Sequence, residues 1–137
     1  MNEQDPIEDG EFVFRRIHRS LFAAGAAIPV WHSAFRPNGN DSTGLSVFRE
    51  GFATPASILA NVDPAKANDY YIARLPVAAL RKLGLTVEPD PVAGGPLGHA
   101  VIPELAWPAY QAGKLQLKAT LVELAKLASA DIVHTPH

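Results

Sequence analysis

At 137 residues, 47% of them hydrophobic and 19% charged, the chain has the size and composition of one globular domain; this excludes a disordered polymer. No apolar run reaches the roughly 18 residues of a membrane span, and residues 1–11 are acidic where a secretory leader would be basic. There is no cysteine, so disulfides, thiolate zinc sites and a cysteine nucleophile are excluded, and a reducing, cytoplasmic setting is expected. The net charge of -2 and the pI near 6.2 argue against general nucleic-acid binding.

That small net charge hides an uneven distribution. Glu3, Asp5, Glu8, Asp9 and Glu11 face no base in the first eleven residues. Over residues 12–49, Arg15, Arg16, Arg19, Arg36 and Arg49 stand against Asp41 alone, a side-chain count of +4 (five minus one). A guanidinium fork matches phosphate and carboxylate oxygens, so an anionic ligand or an acidic partner surface suits this segment.

Residues 1–10 are polar and turn-rich and are expected to form a flexible acidic arm ahead of a domain at 11–130 and a tail at 131–137. Residues 11–18 (EFVFRRIH) are rich in aromatic and β-branched side chains and predict a strand. Residues 30–35 (VWHSAF) alternate and predict a second strand, which would pair with 45–49 (LSVFR) across the loop RPNGNDSTG as a long-tipped hairpin. Thr54-Pro55 reads as an N-cap followed by a first-turn proline, predicting a helix over 55–61. Residues 69–75 predict a strand, 76–83 a short helix stopped by Gly84, and 85–88 another strand. A loop over 89–98 with three prolines and three glycines precedes a strand at 99–102. Trp107-Pro108 and Gly113 read as breaks, and residues 114–130 predict the longest helix, with Leu117, Leu121, Leu124 and Ala128 on one stripe. Thr120 and Glu123 would also fit a capping box for a later start. The expected class is α+β: one small domain with a mixed, mostly antiparallel sheet of about five to six strands, two short helices and a longer C-terminal helix.

Histidine is the commonest general base and metal ligand. His18, His32 and His99 fall on predicted strands, but no pair has the i, i+4 spacing of a helical zinc face, and no metal site is expected. His18-Arg19-Ser20 has the His-x-Ser spacing of half a two-histidine phosphodiesterase, yet neither His99-Ala100-Val101 nor His32-Ser33-Ala34 supplies the second half. A Gly-x-Ser-x-Gly elbow, a phosphate-binding Gly-x-x-x-x-Gly-Lys loop and a Gly-x-Gly-x-x-Gly turn are all absent from the sequence.

Two resemblances add to this reading. The order Arg15/Arg16/His18, then Arg36-Pro37-Asn38-Gly39, then Ser46 and Glu50 is similar to ADP-ribosyltransferase-type folds, especially RES-type toxin domains, over about residues 12–59. That likeness implies NAD as cofactor, with Arg15 or Arg16 on its pyrophosphate and Glu50 or Glu104 on the nicotinamide ribose. The turn matches only loosely, and Phe48 stands nearest to the tyrosine of the family's following strand. The second likeness is to short uncharacterised bacterial proteins with an AF…LSV…DP…HA pattern, carried here by Ala34, Phe35, Leu45, Ser46, Val47, Val87, Asp90, Pro91, His99 and Ala100. It implies no activity, but its polar members, Ser46, Asp90 and His99, have the residue types of a hydrolytic triad.

The sequence therefore supports an accessory or binding domain that recognises a protein partner or small anionic ligand. Arg15, Arg36, Arg49, Trp31 and Phe35 are its ligand-binding candidates, and the residues themselves imply no cofactor. The alternative is an NAD-using, ADP-ribosyltransferase-like enzyme or toxin domain with Arg16, His18, Ser46, Glu50 and His99 as its site.

Overall fold

The computed structural model describes residues 2–136. Six strands form one sheet in the order β4-β5-β2-β1-β3-β6, and every neighbouring pair is antiparallel. They are β1 (Phe12–His18), β2 (Leu45–Arg49), β3 (Tyr70–Pro76), β4 (Glu88–Pro89), β5 (His99–Ile102) and β6 (Ile132–His134). The helices are α1 (Pro55–Leu59), α2 (Val77–Lys82), α3 (Trp107–Ala112) and α4 (Lys114–Ser129). This is the small α+β domain with a longer C-terminal helix that the sequence predicts.

Because side chains alternate across a strand, the sheet builds two cores. Val13 and Ile17 of β1, Leu45 and Val47 of β2, and Ala73 and Leu75 of β3 face a large core closed by Leu121, Leu124 and Ala128 of α4 and by Leu80 of α2. Each fully buried aliphatic there contributes about 1.5–3 kcal/mol. The opposite face carries Phe14, Phe48 and Ile72 under Ile58 of α1, a smaller cluster that covers only part of the sheet. Thr54 starts α1 with a reciprocal cap: its Oγ1 accepts from Ser57 N–H (3.1 Å), while Ser57 Oγ accepts from Thr54 N–H (2.9 Å).

Four expectations change. Residues 30–35 do not form a strand beside β2. Val30 bridges Phe22, and His32–Phe35 turn as a 3-10 helix. Val30, Ala34 and Phe35 are the buried members, a spacing that seats one side of a turn on the core under α4. The Trp107-Pro108 break is instead the start of α3, since a first-turn proline gives up no helical hydrogen bond. The strand expected at 85–88 shortens and shifts to Glu88–Pro89, and the expected tail adds an edge strand, β6, against β3.

The acidic arm is packed against the domain. Ile7 joins the large core. Arg49, 0% exposed, donates to both Glu11 carboxylate oxygens (3.0 Å each) and to the carbonyls of Glu3 (3.1 Å) and Asp5 (2.9 Å). Arg81 binds Asp9 and the Ile7 carbonyl, and the Glu3 carboxylate accepts from Gly98 N–H at 2.8 Å.

Candidate functional site

The sheet opens at its centre. β1 and β2 are registered at Val13↔Arg49 and Phe14↔Phe48, a ladder whose next pair on the Phe14 face would be Arg16 opposite Ser46. That pair is not made. β1 instead follows β3 as far as His18↔Tyr70, while β2 follows β5 to Leu45↔Ile102. The Arg15 side chain fills the opening, donating to Ser46 O (2.9 Å) and Ala34 O (3.0 Å), while its Nε is sealed from solvent without a partner. Burial lowers the Arg15 pKa to about 10, with Asp41 acting in the opposite sense, so the group stays cationic at neutral pH.

Alternation places Arg16 and His18 of β1 on the α1 face, with Ser46 and Phe48 of β2 and His99 of β5. Because α1 is only five residues long, it leaves this end of the face uncovered. A cleft of about 320 Å³ results, walled by Arg16, Ser46, Phe48, Asn61 and His99 and roofed by the 92–96 loop. A second cavity of about 300 Å³ shares Arg16 and Ser46 with it and adds Arg15, His18, Asn38 and Tyr70. Arg16 lies between the Phe48 and Tyr70 rings, 5.7 and 5.8 Å from their centroids, and has no carboxylate partner among the described residues. Cations so placed keep their attraction for an incoming anion.

The polar residues of the cleft are linked. His99 Nδ1 lies 2.8 Å from Asp90 O and 3.3 Å from the Asp90 carboxylate. Both are acceptors, so Nδ1 carries the hydrogen and Nε2 is left to accept from Ser46 Oγ, 3.0 Å away. The His99 ring stands edge-on to Phe48 at 5.5 Å. Its backbone is set by Gly98, whose φ of +84° suits a residue without Cβ; a Cβ there would come within 2.8 Å of Phe52.

Of the residues singled out from the sequence, Arg15, Arg16, His18, Ser46 and His99 line these two adjoining cavities. His18 is held by Ser20 (Nδ1 to Oγ, 2.8 Å) and packs edge-on against Tyr70. Glu50 is apart from them: Arg74 grips it through two nitrogens, and those hydrogen bonds hold its carboxyl below the usual range. Glu104 caps Thr86 at its N–H and hydroxyl. Arg36 lines an adjoining hollow of about 480 Å³ with Trp107 and Lys114, which shares Arg15 and Asn38 with the second cavity, and Trp31, 54% exposed, borders another with Ile28 and Val122. Phe35 and Arg49 are wholly buried, one in the core and one in the arm clamp, and present nothing to a ligand. Asn61 and Tyr70 are cleft residues that the sequence reading passes over. Tyr70 had a signal, as an aromatic opening the strand next to β1, whereas Asn61 follows α1 in a turn and had none. Among the described residues, no group of three or more His, Asp or Glu side chains is placed to hold a metal ion, and no helix is long and apolar enough to cross a membrane.

Comparison with known protein families, with curated proteins and with solved structures gives no match to this chain.

Proposed function

We propose that the protein binds a small anionic ligand, of the phosphate-bearing kind, in the opening between β1 and β2. The observation that carries this is Arg16: a cation held between Phe48 and Tyr70 on a cavity wall, with no carboxylate among the described residues to neutralise it. Arg15 stands at the same opening, against Asp41, and the His18 and His99 rings border it. Aromatic faces beside a guanidinium suit a planar ring attached to the phosphate, which makes a nucleotide the natural probe. Calorimetry with ADP and with inorganic pyrophosphate tests it. Losing one charge-assisted contact of about 2 kcal/mol weakens binding roughly 30-fold in Arg16→Gln. Equal affinity in both proteins overturns the assignment.

A second reading, an NAD-using transferase, is favoured by the gathering of Arg16, His18, Ser46 and His99 around adjoining cavities. In this arrangement Glu50 is bound to Arg74 and does not serve as the acid of the site. Release of nicotinamide from NAD, abolished in Arg16→Gln, supports this reading; binding of NAD without release leaves the binding function alone.

A further inference from the structure

We infer that Ser46 is a nucleophile, activated by His99 and oriented through Asp90, that takes an acyl group from a small ester entering the cleft. Three features lead there. The histidine tautomer is fixed by acceptors at Nδ1, so Nε2 draws the hydroxyl hydrogen of Ser46. The divergence of β1 leaves Ser46 lining cavities on both sides, where a continuous ladder would have set Arg16 directly across from it. Its backbone is held by the half-buried Arg15 donating to Ser46 O, which keeps the hydroxyl in place without occupying it.

The cleft also supplies charge stabilisation. Asn61, which donates to Ser57 O in a long bond of 3.4 Å, lines the same cleft as Ser46 and would offer its remaining N–H to a developing oxyanion, and Arg16 stands on the adjoining strand. In the step, Ser46 Oγ bonds to the ester carbonyl carbon as its proton passes to His99 Nε2. The carbon–oxygen bond to the alcohol then breaks, and His99 returns that proton to the departing alkoxide. Water, deprotonated by His99, attacks the acyl-serine. The acid leaves, Ser46 recovers its proton, and the net products are one carboxylic acid and one alcohol.

An uncharged alkyl fluorophosphonate tests this without calling on the anion-binding reading. Ser46 Oγ bonds to phosphorus, and fluoride departs with the proton. Intact-protein mass spectrometry should show one adduct, and peptide mapping should place it on Ser46. Labelling should vanish in Ser46→Ala and slow about 100-fold in His99→Gln, whose fold is checked by its melting curve. It should slow less in Asp90→Ala, because the Asp90 backbone carbonyl still holds Nδ1. Because the probe carries no charge, its adduct is read apart from ADP calorimetry, so failure here and failure of anion binding are separate results. No adduct on Ser46, labelling spread over other serines, or labelling of folded His99→Gln at the parental rate each overturns the inference. If His99→Gln does not fold, the parental peptide map and Ser46→Ala decide it.

Discussion

Replacing Arg49 with methionine should detach the acidic arm and destabilise the whole domain. The guanidinium is 0% exposed and satisfies four acceptors: two Glu11 carboxylate oxygens and the carbonyls of Glu3 and Asp5. Methionine fills similar space but leaves the Glu11 carboxylate, 19% exposed, without its partner. Breaking a buried ion pair from one side costs about 3–5 kcal/mol, and the residual access of Glu11 to water favours about 3. For a domain of this size that lowers Tm by on the order of 10 °C. Thermal melting followed by circular dichroism reads the shift, and limited proteolysis should cut within residues 2–10 of the variant before the parent. The double variant Arg49→Met/Glu11→Gln should lose less than the sum of the single changes, since each alone strands a charge or a donor set. A Tm within about 2 °C of the parent, with equal protection of the arm, would refute the claim that this clamp holds the N-terminus.

Three further substitutions probe the frame of the domain. Gly98→Ala and Gly84→Ala meet the same φ of +84°, but only Gly98 has neighbours within 4 Å, the nearest at 2.8 Å. Both should lose about 1–2 kcal/mol to backbone strain, and Gly98→Ala should lose at least about 1 kcal/mol more and displace His99, which chemical denaturation and fluorophosphonate labelling would read. Glu50→Gln should be mildly destabilising at neutral pH, by less than about 1 kcal/mol, because the pair with Arg74 is open to solvent. Its carboxyl pKa is depressed in the fold, so the contribution is present above the ordinary value of 4.5 and is lost as pH falls below it. The Tm difference between parent and variant should therefore close on acidification, and a difference that grows in acid would contradict the assignment.

How much of this could be read from the chain depends on distance. Local signals were reliable: the Thr54-Pro55 cap, the β-branched and aromatic run of β1, the Gly84 stop and the stripe of α4 all act within a few residues. Residues 30–35 misled because they alternate in sequence, yet their burial follows a turn, imposed by contact with α4 almost a hundred residues away; Val30 N–H donates to Ser129 Oγ. β6 was missed although Ile132-Val133 carries strand preference, since a three-residue edge strand exists only because β3 has an open side. The site was half legible. Residue types marked Ser46, Asp90 and His99, but their union depends on β2 pairing with β5, a fact of topology. Two adjacent arginines could not be told apart in sequence, and alternation sends Arg15 into the opening and Arg16 to the cleft wall. Glu50 was singled out for its place after β2, and the partner that occupies it, Arg74, comes from a strand two places over in the sheet.

The most direct measurement of the central claim is calorimetric titration of ADP into the parent protein, Arg16→Gln and Arg36→Gln, side by side. Arg36 belongs to the neighbouring hollow and serves as the control of equal charge change. Binding that weakens roughly 30-fold in Arg16→Gln and stays near parental in Arg36→Gln is the predicted result. Equal affinity across all three proteins, or loss in Arg36→Gln alone, would contradict the placement of the ligand at the opening between β1 and β2.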